Sequence, residues 1–513
     1  MLYKVRIHLA APDVRLGSPS QVQPDASPTI AAPAQPSPSA PPSQNVTNSS
    51  AAPAGPTTSV TSVADECGDY QPPKIDPNAD PMEVLKSLKP VMTRSELTDR
   101  IEQCTELKGL SPAVSQVLRL TGADRCSIEQ VANAIGQDHA IALKILKLAN
   151  SAVYTRGEPV DSVQLAVSRI GLGQIRQTVL NLSVIDQFDA QATCAAINFG
   201  QFWEHAIAVG IIAAELAHAL ELDPDTAFTM GLLHDVGRMF FADQIGEVYG
   251  HVLDVARQLD LPAELVEARM LLYNHADVMD RVLHSWKFPK QLINPIVFHH
   301  LSASNIRGAA PRQIPEVAML ALANRLAHAL MLGSSGNEVI YATCEICEML
   351  KLNSDVIEAI HRKARAETDK VKFALLATSS TANWPQLRQV HRDEISGSFR
   401  PLFIGESSPL NAYRIFCEEL ACDDGEVKPN VGVIHIAKAR ERVPLTKAYQ
   451  AAEASAGVGS LPLLILSPAG KLLPEPALMN GRRVQSIASP FTIPRFIQSL
   501  NQLTAQDVTA EAA

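Results

Sequence analysis

Eight of the fourteen histidines in this 513-residue sequence fall between residues 205 and 300. One of them adjoins a carboxylate: Gly231-Leu-Leu-His234-Asp235-Val-Gly237 places an imidazole and an aspartate side by side at the end of an apolar run. Adjacent helical residues lie about 100° apart, so both side chains can lean into one cavity at a helix end. Neutral imidazole with carboxylate is a hard-to-borderline donor pair, suited to Mg, Mn, Fe or Zn. His205 on the preceding apolar stretch, His275, and the pair His299-His300 are the candidate partners of His234 and Asp235. His218 follows His205 by 13 residues and His284 follows His275 by nine, about 220° and 180° around a helix, so both face away. These two and His251 are read as structural or surface. A lone helical histidine is usually packed or solvated; it is the ordered set that points to a divalent-metal site.

The elements that must position this set are helices. Apolar residues recur at three-to-four spacing over 127–148, 202–222, 225–235, 263–272 and 315–332, with abundant alanine. Ser127 with Gln130 three residues later predicts a capping box, and Asp223-Pro224 closes one helix and opens the next. No convincing strand precedes about residue 400, so the middle block reads as all-α. Residues 376–398 form a polar connector. After it, apolar runs at 401–405, 431–436 and 462–466 alternate with helical stretches, which predicts parallel βαβ units in a small α/β domain over 399–505.

The front of the chain is different in kind. Between Leu16 and Ala64 the only charged residue is Asp25, and ten positions are proline. Such a segment cannot bury enough apolar surface to offset its ordering entropy, so residues 1–85 are expected to be a disordered Pro/Ala/Ser-rich tail. The formal net charge of −10 argues against a nucleic-acid partner. No apolar stretch approaches the roughly 20 residues of a membrane span. The start lacks a signal-peptide core and eight cysteines are too sparse for a disulfide framework, so a cytoplasmic location is expected.

The order of histidines, with His234-Asp235 at its centre, resembles the HD superfamily of metal-dependent phosphohydrolases and its HD-GYP branch. A more specific resemblance is to the HDOD domain, the HD-related output domain of bacterial signalling proteins. It rests on Ser111-Pro112-Ala-Val114, on Ile135-Gly-Gln-Asp138 through Leu146, and on Leu148-Ala-Asn150-Ser151. It continues through Val163 to Gly171, Phe202-Trp203-Glu-His205, the His234-Asp235 motif, and Trp286-Lys-Phe-Pro289 leading to His299-His300. The resemblance implies an HDOD domain over 88–375, with its core at 88–335, and a metal set of His205, His234, Asp235, His275, His299 and His300. Asn150 and Ser151 are read as structural turn or cap residues.

Several positions depart from the enzymes. Met279 replaces a glycine, Gln201 stands where some binuclear members have Glu, Asn324 stands in place of a late aspartate, and the DGxGYP stretch is absent. Asp235 is then the only carboxylate among the expected ligands, which disfavours two closely spaced cations. The resemblance therefore implies a regulatory module acting through contacts with signalling proteins or a second copy. The alternative is a metal-dependent phosphohydrolase or cyclic-dinucleotide phosphodiesterase.

The last domain resembles a response-regulator receiver that has lost its chemistry. Glu406 alone remains of the acidic pair, His435 stands where the phospho-accepting aspartate belongs, Ser467 fits the usual Thr/Ser, and Ser489 replaces the lysine before Pro490-Phe491. Such a pseudo-receiver would serve docking or dimerisation.

Overall fold

The computed structural model describes residues 75–76, 79–105, 111–121, 126–150, 154, 158–188, 197–286, 288–352, 354–376, 386–406, 410–422 and 428–505. The tail expectation lies outside the described residues through position 74, as does Ser151. The tail boundary at 85 is corrected: Pro81–Ser87 is a helix, with the Asp80 carboxylate accepting from the Met82 and Glu83 amides. It is held to the body where Arg269 donates to the Lys86 carbonyl at 2.5 Å.

The middle block is helical, with the predicted punctuation. The stretch 127–148 resolves into Ile128–Gly136 and His139–Ala149. Ser127 and Gln130 form the capping box, and Asp138 caps the second helix. Asp223 caps Pro224–Leu233 with proline at its first turn. The long helix Phe199–Ala219 lies at the centre and packs on Pro224–Leu233, Ile314–Ala329 and Ser354–Leu376. Its crossing with Pro224–Leu233 depends on glycine: a Cβ at Gly231 would lie 2.4 Å from the Gly210 backbone. That close approach brings His205 and His234 to a ring separation of 5.4 Å.

Four parallel strands follow: β2 (Pro401–Ile404), β3 (Val431–His435), β4 (Leu463–Pro468) and β5 (Val484–Ser489), paired in sequence order. Helices alternate with them, as parallel connections require. Their core is formed by Ile434, Ile436, Tyr449, Leu463 and Ile465.

Two findings differ from the sequence reading. A short strand, β1 (Val339–Ile340), lies well before residue 400 and pairs antiparallel with β6 (Phe491–Thr492). The described part of the connector is not a free linker either. It contains the helix Leu387–Asp393, whose Arg388 bonds the Glu419 carboxylate at 3.1 Å and whose Arg392 bonds the Glu419 carbonyl at 3.0 Å. The described residues from Asp69 onward thus make one compact unit. Among the described residues no helix is long and apolar enough to cross a membrane.

Candidate metal centre

Four helix ends converge on one buried point. His234 is the cap residue after Pro224–Leu233, and Asp235 opens the next helix, Val236–Gln258. An aspartate at that position ordinarily caps its helix. Here the carboxylate makes no capping bond and is left facing the cluster. His275 begins the helix His275–Ser285, which Asn274 and Asp277 hold in a capping box. His299 follows Lys290–Phe298 directly. Gly237 allows the assembly, since a Cβ there would lie 2.1 Å from the His275 carbonyl oxygen.

The imidazoles are oriented by what their outer nitrogens touch. Nδ1 of His234 donates to the Gly231 carbonyl at 2.6 Å, and Nδ1 of His299 to the Ile296 carbonyl at 2.6 Å. His275 Nδ1 donates to Glu267 Oε2 at 2.6 Å. Each of the three therefore turns Nε2 inward, the arrangement by which proteins fix a ligating histidine. Asp235 Oδ1 lies 3.0 Å from His275 Nε2, 3.5 Å from His299 Nε2 and 4.0 Å from His300 Nε2. Its Oδ2 lies 3.4 Å from His234 Nε2 and 3.5 Å from Arg238 Nε. His205 Nε2 donates to Asn324 Oδ1 at 3.0 Å, so the asparagine does reach the cluster.

Charge within the cluster is set by burial working against close partners. Burial would raise the Asp235 carboxyl, but His234, Arg238 and His275 outweigh it and hold the group well below the carboxylate range. Burial opposes ionisation of Glu267 too, yet Arg238 and His275 bring it down to about 2. Burial and Arg238 press His275 downward, while Glu267 and Asp235 carry it up to about 9. Burial lowers His299 to about 4, and drives His205 and His300 well below the usual imidazole range. Burial raises Glu264. In the metal-free protein two buried anions, Asp235 and Glu267, are thus matched by Arg238 and by His275, whose Nε2 proton a bound cation would displace.

The donor set fits one divalent cation. Asp235 Oδ2 and the Nε2 atoms of His234 and His299 are buried without a hydrogen-bond partner, while Oδ1 faces His275 Nε2 at 3.0 Å. Unpaired buried polar atoms are costly, and a cation would satisfy them. The ligand atoms of Asp235, His275, His299 and His300 lie within 4.8 Å of one another, as do those of His205, His234 and Asp235. Such spacing suits bonds of about 2.0–2.2 Å to one ion. On the Oδ2 side, Arg238 already supplies a positive charge.

The structure brings all six sequence-derived candidates together. His218 and His284 are exposed and His251 is half-buried, all three outside the cluster. Four participants were not anticipated. Arg238 is fully buried, with Nη1 3.1 Å from Glu267 Oε1 and Nη2 4.0 Å from Glu264 Oε2. Glu264 and Glu267 stand three apart on one helix, Ala263–Met270. His328, one turn beyond Asn324, packs against His205 with ring centres 4.4 Å apart and the planes tilted by 41°. The one sequence signal for these was the i, i+3 spacing of Asp235 with Arg238 and of Glu264 with Glu267.

In the α/β part, Glu406, His435, Ser467 and Ser489 all lie at the carboxyl ends of the parallel strands. His435 is buried against Tyr413 at a ring separation of 4.6 Å, and the Ser467 hydroxyl accepts from the Leu472 amide at 3.1 Å. Among the described residues the cation-ready groups are the two around Asp235, and neither includes these positions.

A helical body with a buried histidine–aspartate cluster is the class that fold and site define. Residues 107–302 match the family model of the HDOD domain, so this stretch carries one, and it contains all six candidate ligands. An uncharacterized protein of Treponema pallidum (strain Nichols) is 24% identical over 236 residues, 45% of this chain. The match spans 43% of that relative, less than half its length. Among solved structures, an HDOD domain protein of unknown function from Geobacter sulfurreducens is 21% identical. It covers 55% of this chain and 98% of its own, with a TM-score of 0.44. A structure named as a candidate phosphohydrolase from Shewanella amazonensis SB2B is 22% identical, covering 54% and 98%, with a TM-score of 0.43.

Proposed function

We propose that this chain is a regulatory signal-transduction protein. Its HDOD domain works through contacts with signalling proteins or a second copy, and its histidine cluster is a metal-holding structural centre rather than a catalytic one. One observation carries this reading: the cluster is almost wholly buried. His205, His234 and His275 are 0% exposed and Asp235 and His299 1%. Among the described residues the cluster reaches the surface through the side chains of His300 and Glu264, 14% and 11% exposed. A phosphate ester would need to reach the ion together with an in-line water, and burial this deep around Asp235 disfavours that approach. The α/β domain, without paired carboxylates at its strand ends, is read as a degenerate receiver that serves docking.

A second reading, a metal-dependent phosphohydrolase, is favoured by the unpaired inward atoms of His234, His299 and Asp235. A metal there would supply Lewis acidity and an activated water, with His275, His299, His300 and Asp235 holding it. One experiment separates the two: metal content of the purified full chain, with assays of nucleotides and cyclic dinucleotides under added Mn or Fe. About one ion per chain without hydrolysis is expected. Hydrolysis that disappears in the His234→Ala/Asp235→Ala variant would overturn the regulatory reading.

A further inference from the structure

Residues 338–343 form a strap between the α/β domain and the open edge of the cluster. Its first half is held by the C-terminal elements. Val339 and Ile340 pair with Thr492 and Phe491, and the Ile493 amide donates to the Glu338 carbonyl at 2.9 Å. Its far end is held by the start of the helix Ala412–Leu420. The buried Thr343 hydroxyl accepts from the Ala412 amide at 3.0 Å and donates to the Leu410 carbonyl.

Between these anchors the strap touches the cluster twice. The Tyr341 hydroxyl donates to Glu264 Oε1 at 2.8 Å, the same oxygen that faces His300 Nδ1 at 3.6 Å. Glu264 is also a partner of Arg238. The second contact runs through Arg325, the neighbour of Asn324. Its guanidinium donates to the Ala342 carbonyl at 2.7 Å and to the carbonyl of Leu301, next to His300, at 3.2 Å. The same guanidinium lies over the Tyr341 ring, 5.4 Å from its centre. The strap thus lies at the partly exposed edge formed by His300 and Glu264, and the α/β domain fixes it from both ends.

We infer that Tyr341 is a positioning residue for the histidine–carboxylate cluster, and that the docked α/β domain, through the 338–343 strap, sets how readily the centre takes up and releases its metal. This rests on the metal reading above. Tyr341 touches no expected ligand atom; it acts by fixing Glu264, which in turn faces His300 and Arg238. Removal of a group bonded directly to a ligating side chain typically costs 10–100-fold in metal affinity; Tyr341 acts one residue further out, so its effect falls at the low end of that range. Thr343 is further removed, and its effect on the cluster can arise only through the strap.

The test uses the full chain loaded with Zn or Mn and challenged with a chromogenic chelator. Tyr341→Phe deletes the hydroxyl alone and should release metal about tenfold faster. Thr343→Val, isosteric and remote from every ligand, should shift release in the same direction. Asn150→Ala, in a different part of the helical body, is the control for general destabilisation and should leave the release rate unchanged. Amide hydrogen exchange on metal-free protein reads the coupling separately: both strap variants should lower protection at 299–303, and the control should not. Unchanged release in both strap variants, or equal acceleration by Asn150→Ala, overturns the inference. A wild-type chain that takes up neither metal overturns the metal reading and the claim about release together. In that case the hydrogen-exchange arm still decides whether the α/β domain positions the cluster.

Discussion

Replacing Arg238 by methionine puts the electrostatic account of the cluster at risk. The guanidinium is fully buried, 3.1 Å from Glu267, 3.5 Å from Asp235 and 4.0 Å from Glu264. Methionine retains much of the volume and removes the charge. Asp235 and Glu267, both ionised, then face protonated His275 as their sole remaining buried cation. Removing one partner of a buried ion pair costs roughly 3–5 kcal/mol, a large share of the 5–15 kcal/mol that ordinarily separates folded from unfolded protein. In urea unfolding of the metal-free chain the midpoint should fall by the loss divided by the slope; slopes of about 1–3 kcal/mol/M belong to small proteins and rise with size, so a shift of up to ~1 M is expected. Saturating Mn or Zn returns positive charge to Asp235, so the loss should shrink by more than ~1 kcal/mol when metal is present. A metal-free loss below ~1 kcal/mol, or the same loss with and without metal, would refute the assignment of Arg238 as the counter-charge to Asp235.

Three further outcomes follow from the packing. Gly237→Ala places a methyl group 2.1 Å from the His275 carbonyl oxygen; it should destabilise by about 1–3 kcal/mol and weaken metal binding, seen by unfolding and by chelator competition. Asn150→Ala removes a side chain that bonds both the amide and the carbonyl of Val160 at 2.8 Å and accepts from Arg169 at 3.3 Å. It should cost on the order of 1–2 kcal/mol without altering metal content, which would make Asn150 structural. Glu453 is held bidentately by Arg482 at 2.5 and 2.7 Å and accepts from the Leu461 amide at 3.0 Å. The Arg482 bonds outweigh the opposing effect of burial, so its carboxyl sits below 4.5. The stabilisation from a depressed carboxyl is complete above its unfolded value and is lost as pH falls through its folded value. Glu453→Gln should therefore be less stable than wild type at pH 7, with the gap closing in acid denaturation.

Much of the helical body could be read from local chemistry. Ser127 with Gln130, and Asp223 before Pro224, state helix starts in terms that need no tertiary context. The strands at 401–404, 431–435 and 463–468 were legible because they are apolar runs bounded by turn residues. β5 was not, because Val484–Ser489 is an edge strand of mixed burial and carries no clean apolar run. β1 is two residues long and exists only because Phe491–Thr492 comes to pair with it. The six candidate ligands were legible because an adjacent His-Asp pair in an apolar helix is conspicuous. Arg238, Glu264 and Glu267 were not, because charged residues at helical spacing ordinarily mark a solvated face. Their burial is created by the convergence of helix ends, which no local window contains.

The β1–β6 pair has a consequence for the order in which the protein is made. About 150 residues separate Ile340 from Phe491, and at 5–20 residues per second the second strand leaves the ribosome roughly 8–30 s after the first. During that interval every element of the histidine cluster has been synthesised, while the β6 anchor of the Tyr341 segment has not, and the anchor at Leu410 and Ala412 appears only midway. The nascent chain therefore passes through a stage in which the edge at His300 is uncovered. A divalent ion supplied during cell-free synthesis should be incorporated more completely than one added to the finished, metal-free chain.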